Sequence, residues 1–250
     1  MNTIFGYNVY NKGSGNLINE FKNVIHRGEI ATIFALNTQK LYQGNKNENL
    51  NKIFNSFTYT IPDGQSIAFA EKIINGNNID TISGAELMID LIRISSTNNY
   101  RIFFLGSTQE LLDKVSRKVN AEFPSLSSIV AYQHGYYSFD EEDQIIKNIA
   151  SFKPDILFVA FGSPQKEIFI QNNKDRLNSR IIMGVGGSYE VFVGDKKLDP
   201  FTKRIGLRWL MRTLQDPFRL APRYAVCNTY FLYLLSKELI KRRVLKNNSK

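Results

Sequence analysis

Short apolar segments alternate with segments of helical periodicity through most of this chain, and this alternation limits its fold more than any other feature. Strands that alternate with helices favour a parallel sheet covered by helices on both faces. The sequence therefore predicts an α/β fold with a Rossmann-like, mostly parallel sheet. The strand candidates are residues 30–36, 57–61, 101–105, 128–132, 155–161 and 181–185.

Helical spacing of apolar residues marks the segments between these strands. The Asn-rich stretch at 45–51 has no such spacing and is predicted to be a surface loop. The helix candidates are residues 17–25, 65–74, a segment after Gly84, 108–122, 141–152 and 165–176.

The last fifty residues carry the whole net charge of the protein. They hold twelve of the 32 Lys and Arg residues and two of the 23 acids, so their charge is +10 and residues 1–200 carry −1. Such asymmetry predicts a polyanionic partner, either a nucleic acid or an anionic membrane surface. We therefore divide the chain into a catalytic α/β domain, 1–200, and a basic helical C-terminal appendage, 201–250.

The appendage is not expected to span a bilayer. Its continuous apolar run is about a dozen residues, whereas a transmembrane helix needs roughly 20. It is expected either to lie on a membrane as an amphipathic segment or to pack against the body as a terminal helix.

Length and cysteine content exclude several other classes. A chain of 250 residues, 43% hydrophobic, can bury a core without disulfides or structural metal. The single cysteine, Cys227, excludes a disulfide scaffold and a multi-cysteine metal site. The first thirty residues lack the pattern of a signal peptide, so a cytoplasmic location is expected.

Glycines mark the carboxyl ends of four predicted strands, where open α/β sheets bind ligands. Glycine lets the backbone approach a phosphate closely, although the same residues also suit simple turns. No complete GxGxxG or GxxxxGK[ST] motif occurs, which argues against a dinucleotide-dependent dehydrogenase or a P-loop enzyme. The residues concerned are Gly64, Gly106 with the following Ser107, Gly162, and Gly186 with Gly187.

Asp63 is the carboxylate best placed for catalysis. It follows a predicted strand in Pro62-Asp63-Gly64 and precedes a helix. It is either a helix N-cap or a general base that takes a proton from a hydroxyl nucleophile. Asn37 follows the first long strand in the same way and either orients a substrate hydroxyl or makes a turn.

Two further strings follow strands. In Gly162-Ser163-Pro164-Gln165-Lys166-Glu167, Pro164 and Glu167 suit a helix start, but Gln165 has no capping role there. The Gln165 amide has both a donor and an acceptor for a sugar or a phosphate. His134-Gly135-Tyr136 either lines a ligand pocket at the carboxyl ends of the strands or forms a surface turn.

Arginines of the appendage are candidates for binding a diphosphate. No Asp-x-Asp pair is present to hold a divalent cation on a diphosphate. If a nucleotide-sugar is bound, we therefore expect cationic side chains to take that role, with no metal and no cofactor. Guanidinium groups bind phosphate oxygens in bidentate fashion. The alternative is that these arginines form only a solvated basic face and bind no ligand. The candidates are Arg208, Arg212, Arg219 and Arg223.

Taken in order, these strings resemble the bacterial WecG/TagA/CpsF glycosyltransferase family from about residue 37 to residue 223. The resemblance is carried by the order and spacing of several short strings. They are Leu36-Asn37, Pro62-Asp63-Gly64, Phe104-Leu105-Gly106, His134-Gly135-Tyr136-Tyr137, Pro154-Asp155-Ile156-Leu157, Gly162-Ser163-Pro164-Gln165-Lys166-Glu167, Gly184-Val185-Gly186-Gly187, Gly206-Leu207-Arg208-Trp209-Leu210-Met211-Arg212 and Asp216-Pro217-Phe218-Arg219.

The resemblance implies a metal-independent, inverting enzyme at the inner face of the cytoplasmic membrane, acting in cell-surface polysaccharide or teichoic acid synthesis. Its substrates would be a UDP-sugar, of N-acetylmannosamine or another hexose, and a saccharide carried on undecaprenyl diphosphate. The appendage would dock on the anionic membrane surface, with no nucleic acid as partner. The resemblance leaves open whether the protein forms a homo-oligomer.

The resemblance also suggests roles for individual residues. By position, Asp63 resembles the general base, and Asn37 and Gln165 resemble substrate-positioning residues. An arginine of the appendage would stabilise the diphosphate. The remaining candidates for substrate binding are Gly64, Gly106, Ser107, His134, Gly135, Tyr136, Gly162, Pro164, Glu167, Gly186, Gly187, Arg212, Arg219 and Arg223.

The chain departs from the family pattern at three places. Ala35 replaces a threonine two residues before Asn37, Tyr189-Glu190 replaces Phe-Asp, and Leu198-Asp199-Pro200 replaces Arg-Ala-Pro. Two other interpretations stay open: a nucleic-acid-binding protein whose basic, aromatic tail stacks bases, and an inactive membrane scaffold of the same family.

Overall fold

A six-stranded parallel sheet forms the centre of the protein, and a short antiparallel hairpin of β1 (Thr3–Ile4) and β2 (Tyr7–Asn8) precedes it. The strands of the sheet are β3 (Ala31–Leu36), β4 (Tyr59–Pro62), β5 (Ile102–Gly106), β6 (Val130–Gln133), β7 (Ile156–Ala160) and β8 (Ile181–Gly184). Their order is β4-β3-β8-β7-β5-β6, and every neighbouring pair is parallel.

The computed structural model describes residues 3–196 and 217–247. The predictions on Arg208, Arg212 and Leu198-Asp199-Pro200 therefore lie outside the described residues, as does the predicted boundary between residues 200 and 201.

Helices connect the strands and cover the sheet. They are α1 (Gly13–Arg27), α2 (Thr38–Lys46), α3 (Glu48–Asn55), α4 (Gln65–Asn75), α5 (Gly84–Asn98), α6 (Gln109–Glu122), α7 (Phe139–Phe152), α8 (Gln165–Asn173), α9 (Ser188–Val193) and α10 (Pro217–Asn247).

The strands of the sheet contribute residues to two separate hydrophobic clusters, one on each face. In β3, for example, Phe34 and Leu36 belong to one cluster, and Ala31 and Ile33 belong to the other. The first cluster is covered by α2, α3, α4, α7, α8 and α10, and the second by α1, α5, α6 and α9. This burial on both faces explains why the strands are near-continuous apolar runs.

The predicted fold class is confirmed, and all six predicted strands are present within two residues of their expected bounds. The predicted loop at 45–51 is wrong, because those residues form the end of α2 and the start of α3. Asn47 separates the two helices, and its side chain accepts a hydrogen bond from the Leu50 backbone, 3.1 Å, as the N-cap of α3. Asparagine is unfavourable inside a helix but favourable as its N-cap. The asparagine content of residues 45–51 therefore suggested a loop where α2 ends and α3 begins.

Helix α10 packs against α2 and α4. Its residues Leu220, Cys227, Phe231 and Leu235 are buried, and the last two of these belong to the first hydrophobic cluster. Of the two predicted arrangements for the tail, packing as a terminal helix is therefore observed for residues 217–247. Within the described ranges, 3–196 and 217–247, every helix is too short or too polar to cross a membrane.

Candidate functional site

The candidate site lies at the carboxyl edge of the sheet, above β8. All six strands are parallel, so the turns that follow them gather at this edge. The helices after β3 and β7, α2 and α8, lie on one face, whereas α9, which follows β8, lies on the other. The chain therefore turns to opposite faces of the sheet on either side of β8, and we call the position beside the turn at Gly186-Gly187, where such sheets bind ligands, the crevice.

Asp63 and Asn37 meet at this edge because their strands are paired in register. Leu36 of β3 is opposite Pro62 of β4, so the residues that follow them, Asn37 and Asp63, lie beside each other. The Asn37 amide donates to the Asp63 carboxylate, Nδ2 to Oδ2, at 3.4 Å. The Asn37 side-chain oxygen also accepts from the Lys40 backbone, 3.2 Å, as the N-cap of α2.

Asp63 does not cap the helix that follows it. The N-cap of α4 is Gly64, which has a positive φ of 104° and no side chain. Asp63 is partly exposed at the crevice, and its backbone N–H donates to the Leu36 carbonyl at 2.9 Å. The capping explanation for this carboxylate is therefore wrong, and its side chain is bonded to Asn37 instead.

A buried ionic cluster of Lys40, Glu167 and Lys166 lies at the same edge of the sheet, and Lys40 follows Asn37, the partner of Asp63, by three residues. Glu167 Oε1 is 2.7 Å from Lys40 Nζ and 3.1 Å from Lys166 Nζ, and the Glu167 side chain is only 3% exposed. Glu167 Oε2 is buried and has no hydrogen-bond partner among the described residues. An acid in the first turn of a helix is ordinary, but this one joins the first turns of α2 and α8.

The cluster alters the protonation of its members. Burial is the main cause that lowers the pKa of Lys166 to about 8; Lys40 lowers it further, while Glu167 and Asp63 oppose this shift. Burial acts to raise the pKa of Glu167, but the two ammonium groups outweigh it and the pKa is lowered. Lys40 is further held over the Phe34 ring, 4.5 Å from its centroid. With both lysines protonated, the three side chains carry a net charge of +1.

Glycine is required at two strand ends of this edge. A Cβ on Gly184 would lie 2.9 Å from Lys166 Cδ, so the lysine stem occupies the space of a side chain there. A Cβ on Gly106, where φ is 103°, would lie 2.8 Å from the backbone of Ala160 on the neighbouring strand β7. At both positions the backbone and its neighbour approach more closely than any other residue would allow.

The loop before α8 places Gln165 differently from Lys166. Gln165 is exposed, and its Oε1 lies 3.2 Å from the position of a Cβ on Gly162. Pro164 precedes it after a cis peptide bond, and Ser163 donates to Gln43 of α2 at 3.3 Å. Gln165 is therefore at the rim of the crevice, whereas Lys166 is directed inward.

The candidates after β5 and β6 lie at the other end of the same edge. Gly135 donates from its backbone to the Ser107 carbonyl at 2.9 Å, so the two turns pack together. His134 is partly buried, and Tyr136 is 74% exposed. Four strand spacings separate β4, which Asp63 follows, from β5, about 19 Å. These residues and Asp63 can contact one ligand only if it is elongated.

Tyr189, one of the departures from the family pattern, has a structural role. Its hydroxyl group lies 3.2 Å from the carbonyl oxygens of both Leu105 and Phe158 and donates to them, and the residue is fully buried. Burial raises the pKa of Tyr189 well above its ordinary value, so it remains neutral. Its neighbour Glu190 pairs with Lys196 at 3.1 Å.

Of the candidate arginines, Arg223 is the one whose side chain is described. Its guanidinium carbon lies 5.3 Å from the centroid of the Tyr224 ring. Its Nε is buried and has no hydrogen-bond partner within 3–196 and 217–247. Arg219 lies in the first turn of α10, and Arg212 lies outside the described residues.

Helix α10 reaches the crevice through α2. Thr38, the first residue of α2, donates from Oγ1 to Asn228 Oδ1 of α10 at 3.4 Å. Arg223 lies between one and two turns nearer to the start of α10 than Asn228. Further along the helix, Arg242 donates to the carbonyl of Ile74, at the end of α4, at 2.7 Å. Helix α10 therefore comes near the crevice at Asn228 and runs from there towards the end of α4.

A groove of about 500 Å³ lies between α2 and α10. Its walls are mostly apolar and aromatic, and Lys46 contributes its charged group. The groove begins one helical turn beyond Thr38, because Tyr42 follows Thr38 by four residues. The lining residues are Tyr42, Lys46, Ala225, Val226, Thr229, Tyr230 and Tyr233.

Sequence reasoning missed Lys40 and assigned no role to Lys166. Both lie in the first turn of a helix, where the macrodipole disfavours a positive charge. A lysine in this unfavourable position after each of two strands, β3 and β7, was the signal in the sequence that could have identified them. No group of three or more His, Cys, Asp or Glu residues that could hold a metal ion occurs in the part of the chain that the structure describes.

Comparison with known proteins identifies relatives of this chain. A family model described as glycosyl transferase WecG/TagA/CpsF family matches residues 2–245. Relatives of similar sequence include the N-acetylglucosaminyldiphosphoundecaprenol N-acetyl-beta-D-mannosaminyltransferases of Staphylococcus aureus strains MW2 and NCTC 8325 / PS 47. Each is 31% identical over 196 residues, which cover 78% of this chain and 74% of the relative.

Proposed function

Because this chain belongs to the WecG/TagA/CpsF family of glycosyltransferases, we propose that it transfers N-acetylmannosamine, or a related hexose, from a UDP-sugar to an undecaprenyl-diphosphate-linked saccharide. The observation that carries the proposal is the pair of Asp63 and Asn37 at the crevice, beside a buried cluster of net positive charge. A carboxylate and an adjacent positive region are what such a transfer needs.

The reaction is a direct displacement with inversion. Asp63 takes the proton of the acceptor hydroxyl, whose oxygen attacks the anomeric carbon from the face opposite the nucleotide. The bond from that carbon to the diphosphate oxygen breaks, and UDP leaves with the electron pair. Asn37 positions the carboxylate through its amide, and Gln165 at the rim is placed to contact a sugar.

Side chains of this protein would stabilise the leaving diphosphate in place of a metal. The first turns of α2 and α8 lie at the crevice, and each holds a buried lysine that pairs with Glu167. Positive charge placed in advance, where negative charge develops, stabilises the transition state. Arg223 has an unpaired Nε among the described residues and lies near the start of α10, so its guanidinium group is a candidate for contact with the diphosphate.

The direct test is transfer of radiolabelled N-acetylmannosamine from its UDP donor to N-acetylglucosaminyl-diphosphoundecaprenol in detergent. We expect a lipid-soluble labelled product, formed equally well with and without a chelator. Absence of any product with this donor and with other UDP-hexoses would contradict the proposed function and favour an inactive scaffold.

Helix α10 also supports docking on the inner face of the cytoplasmic membrane. The last fifty residues carry a charge of +10. Each basic residue near an anionic surface contributes about 1 kcal/mol, and apolar side chains that enter the interface add to this. The outer face of α10 exposes such side chains opposite its buried face: Phe218, Val226, Leu232, Tyr233, Leu239 and Ile240.

Replacing both Leu232 and Ile240 with Glu should weaken binding to vesicles of phosphatidylglycerol and phosphatidylethanolamine by tenfold or more. The reason is that each change removes an exposed apolar side chain worth about 1.5–3 kcal/mol when it is buried. Vesicle co-sedimentation measures the effect. Ile30→Glu, next to the start of β3, is the control because that residue is exposed at the opposite edge of the sheet. Equal binding by the double variant would contradict membrane docking through α10.

The groove between α2 and α10 is a suitable site for the isoprenoid chain next to the acceptor diphosphate. It starts near Thr38, it is mostly apolar, and Val226 and Tyr233 belong both to the groove and to the exposed face of α10. A chain that leaves the crevice along this groove would reach the membrane directly.

Tyr230→Ala should raise the KM for acceptors with a farnesyl or longer chain by about tenfold, because the chain loses an aromatic contact. The KM for an otherwise identical acceptor with a methyl group in place of the chain should not change. Ser236→Ala, on the exposed surface of the same helix, is the matched control. An equal effect on both acceptors would contradict a chain-binding role for this groove.

A further inference from the structure

Helix α4 exposes two apolar side chains on the side that faces away from the core. Phe69 is 50% exposed, and Ile73, one helical turn later, is 43% exposed. The opposite side of the helix is buried, since Ile67, Ala70 and Ile74 belong to the first hydrophobic cluster. A single exposed apolar residue is ordinary, but neighbouring ones that form a patch mark a surface of interaction.

The exposed side of α4 continues the exposed side of α10. Of the ten large apolar side chains exposed in the described parts of the chain, eight lie on these two helices. The helices pack against each other, and Arg242 of α10 donates to the carbonyl of Ile74, the residue after Ile73, at 2.7 Å. Both helices cover the first hydrophobic cluster, and each exposes the side opposite to it. The two apolar faces therefore point away from the same side of the sheet.

The charges on these helices indicate what covers this face. Lys72, between Phe69 and Ile73 in the sequence, is exposed, and so are Lys237 and Lys241 of α10. The single acid of each helix is held within the protein. Glu71 of α4 is buried and accepts hydrogen bonds from two asparagine side chains at 2.6 and 2.7 Å, and the acid of α10 pairs with an arginine of the same helix at 3.0 Å. Exposed apolar groups with lysines beside them are complementary to an anionic lipid surface.

A second copy of this chain is a poorer match for the same face. In a two-fold symmetric dimer the same patch lies on both sides of the interface. Lys72 and the exposed lysines of α10 would then be brought close to their own copies, and like charges placed together oppose association.

We propose that α4 is a second membrane-docking helix: Phe69 and Ile73 enter the headgroup region of an anionic bilayer beside the outer face of α10, and Lys72 contacts lipid phosphates. The catalytic meaning of this contact rests on the proposed function. Helix α4 begins two residues after Asp63, and Phe69 lies about 6 Å along the helix from its first residue, Gln65. Docking through α4 would therefore hold Asp63 close to the membrane surface, where a lipid-linked acceptor presents its sugar.

The first arm of the test uses an environment-sensitive fluorophore attached to a single cysteine in a Cys227→Ala background. Labels at Phe69→Cys and Ile73→Cys should brighten when vesicles of phosphatidylglycerol and phosphatidylethanolamine are added, and lipids with a nitroxide on the acyl chain should quench them. A label at Asn23→Cys, exposed on α1 over the other face of the sheet, is the control and should not respond. The proposal is overturned if the labels on α4 behave like this control, even if a label at Leu232→Cys on α10 responds.

The second arm is co-sedimentation of Phe69→Ser with Ile73→Ser on the same vesicles. Serine removes the apolar side chains without adding a charge, so binding should weaken by about tenfold through lost burial alone. The urea midpoint of this variant should stay close to that of the wild type, because both side chains are exposed. Ile30→Ser, at the opposite edge of the sheet, is the matched control and should bind as the wild type does. Equal binding by the double variant would refute docking through α4.

The remaining outcomes are separated without vesicles and without substrate. Iodide in solution should quench the label at Phe69→Cys when no vesicles are present. Protection that disappears on dilution would assign this face to a second copy, and protection that persists would assign it to another segment of the chain; either result overturns the proposal. If no pair of donor and acceptor gives transfer, the proposed function fails, and the labels still decide whether α4 docks on a membrane.

Discussion

Asp63→Asn should reduce the rate of sugar transfer by about 10²–10⁴-fold, the range over which a positioned general base accelerates a reaction. The amide has nearly the shape of the carboxylate, and its oxygen can still accept the hydrogen bond from Asn37 that measures 3.4 Å in the native site. What is lost is the ability to take the acceptor proton. Binding of UDP, measured by calorimetry, should stay nearly unchanged because Asp63 is not among the groups proposed to hold the diphosphate.

Asp80→Asn is the matched control, since Asp80 is exposed on the segment between α4 and α5. Retention of full activity in Asp63→Asn would show that another group takes the proton. Loss of UDP binding together with activity would mean that the carboxylate holds the donor site together. A wild-type protein that binds UDP but transfers nothing would instead fit an inactive member of the family.

The fold could be predicted from the sequence because strand burial leaves a direct pattern. Strands covered on both faces are short runs of apolar residues, and the glycines that follow several of them interrupt each run. Helices α2 and α3 were missed because their asparagines suggested a loop. Asn37 and Asn47 cap these helices, so the residues that looked like breaks are starts.

The site was predictable in part. Asp63 and Asn37 each follow a strand, and the register of β3 against β4 brings them together. The role of Glu167 could not be inferred from its position, because an acid in the first turn of a helix is ordinary. Its burial and its contact with Lys40, which is distant in the chain, arise only when α2 and α8 flank β8 in the folded sheet.

Glu167→Gln should lower the free energy of unfolding at neutral pH by about 3–5 kcal/mol, the cost of removing one partner from a buried ion pair. The native carboxylate lies 2.7 Å from Lys40 Nζ and 3.1 Å from Lys166 Nζ, and all three side chains are at most 9% exposed. A neutral amide leaves two buried ammonium groups without a counter-charge. Urea unfolding measures this loss. The midpoint should fall while the slope of the free energy of unfolding against urea concentration stays unchanged.

The matched control is Glu48→Gln, which breaks the exposed pair of Glu48 and Lys52 on α3 and should change the unfolding midpoint little. A combined variant, Lys40→Met with Glu167→Leu and Lys166→Met, should regain much of the lost stability, because apolar replacement of a buried ionic cluster is often neutral or stabilising. If Glu167→Gln were as stable as the wild type, the two ammonium groups would have to find water or lose a proton, and Glu167 would not be what holds α2 and α8 together.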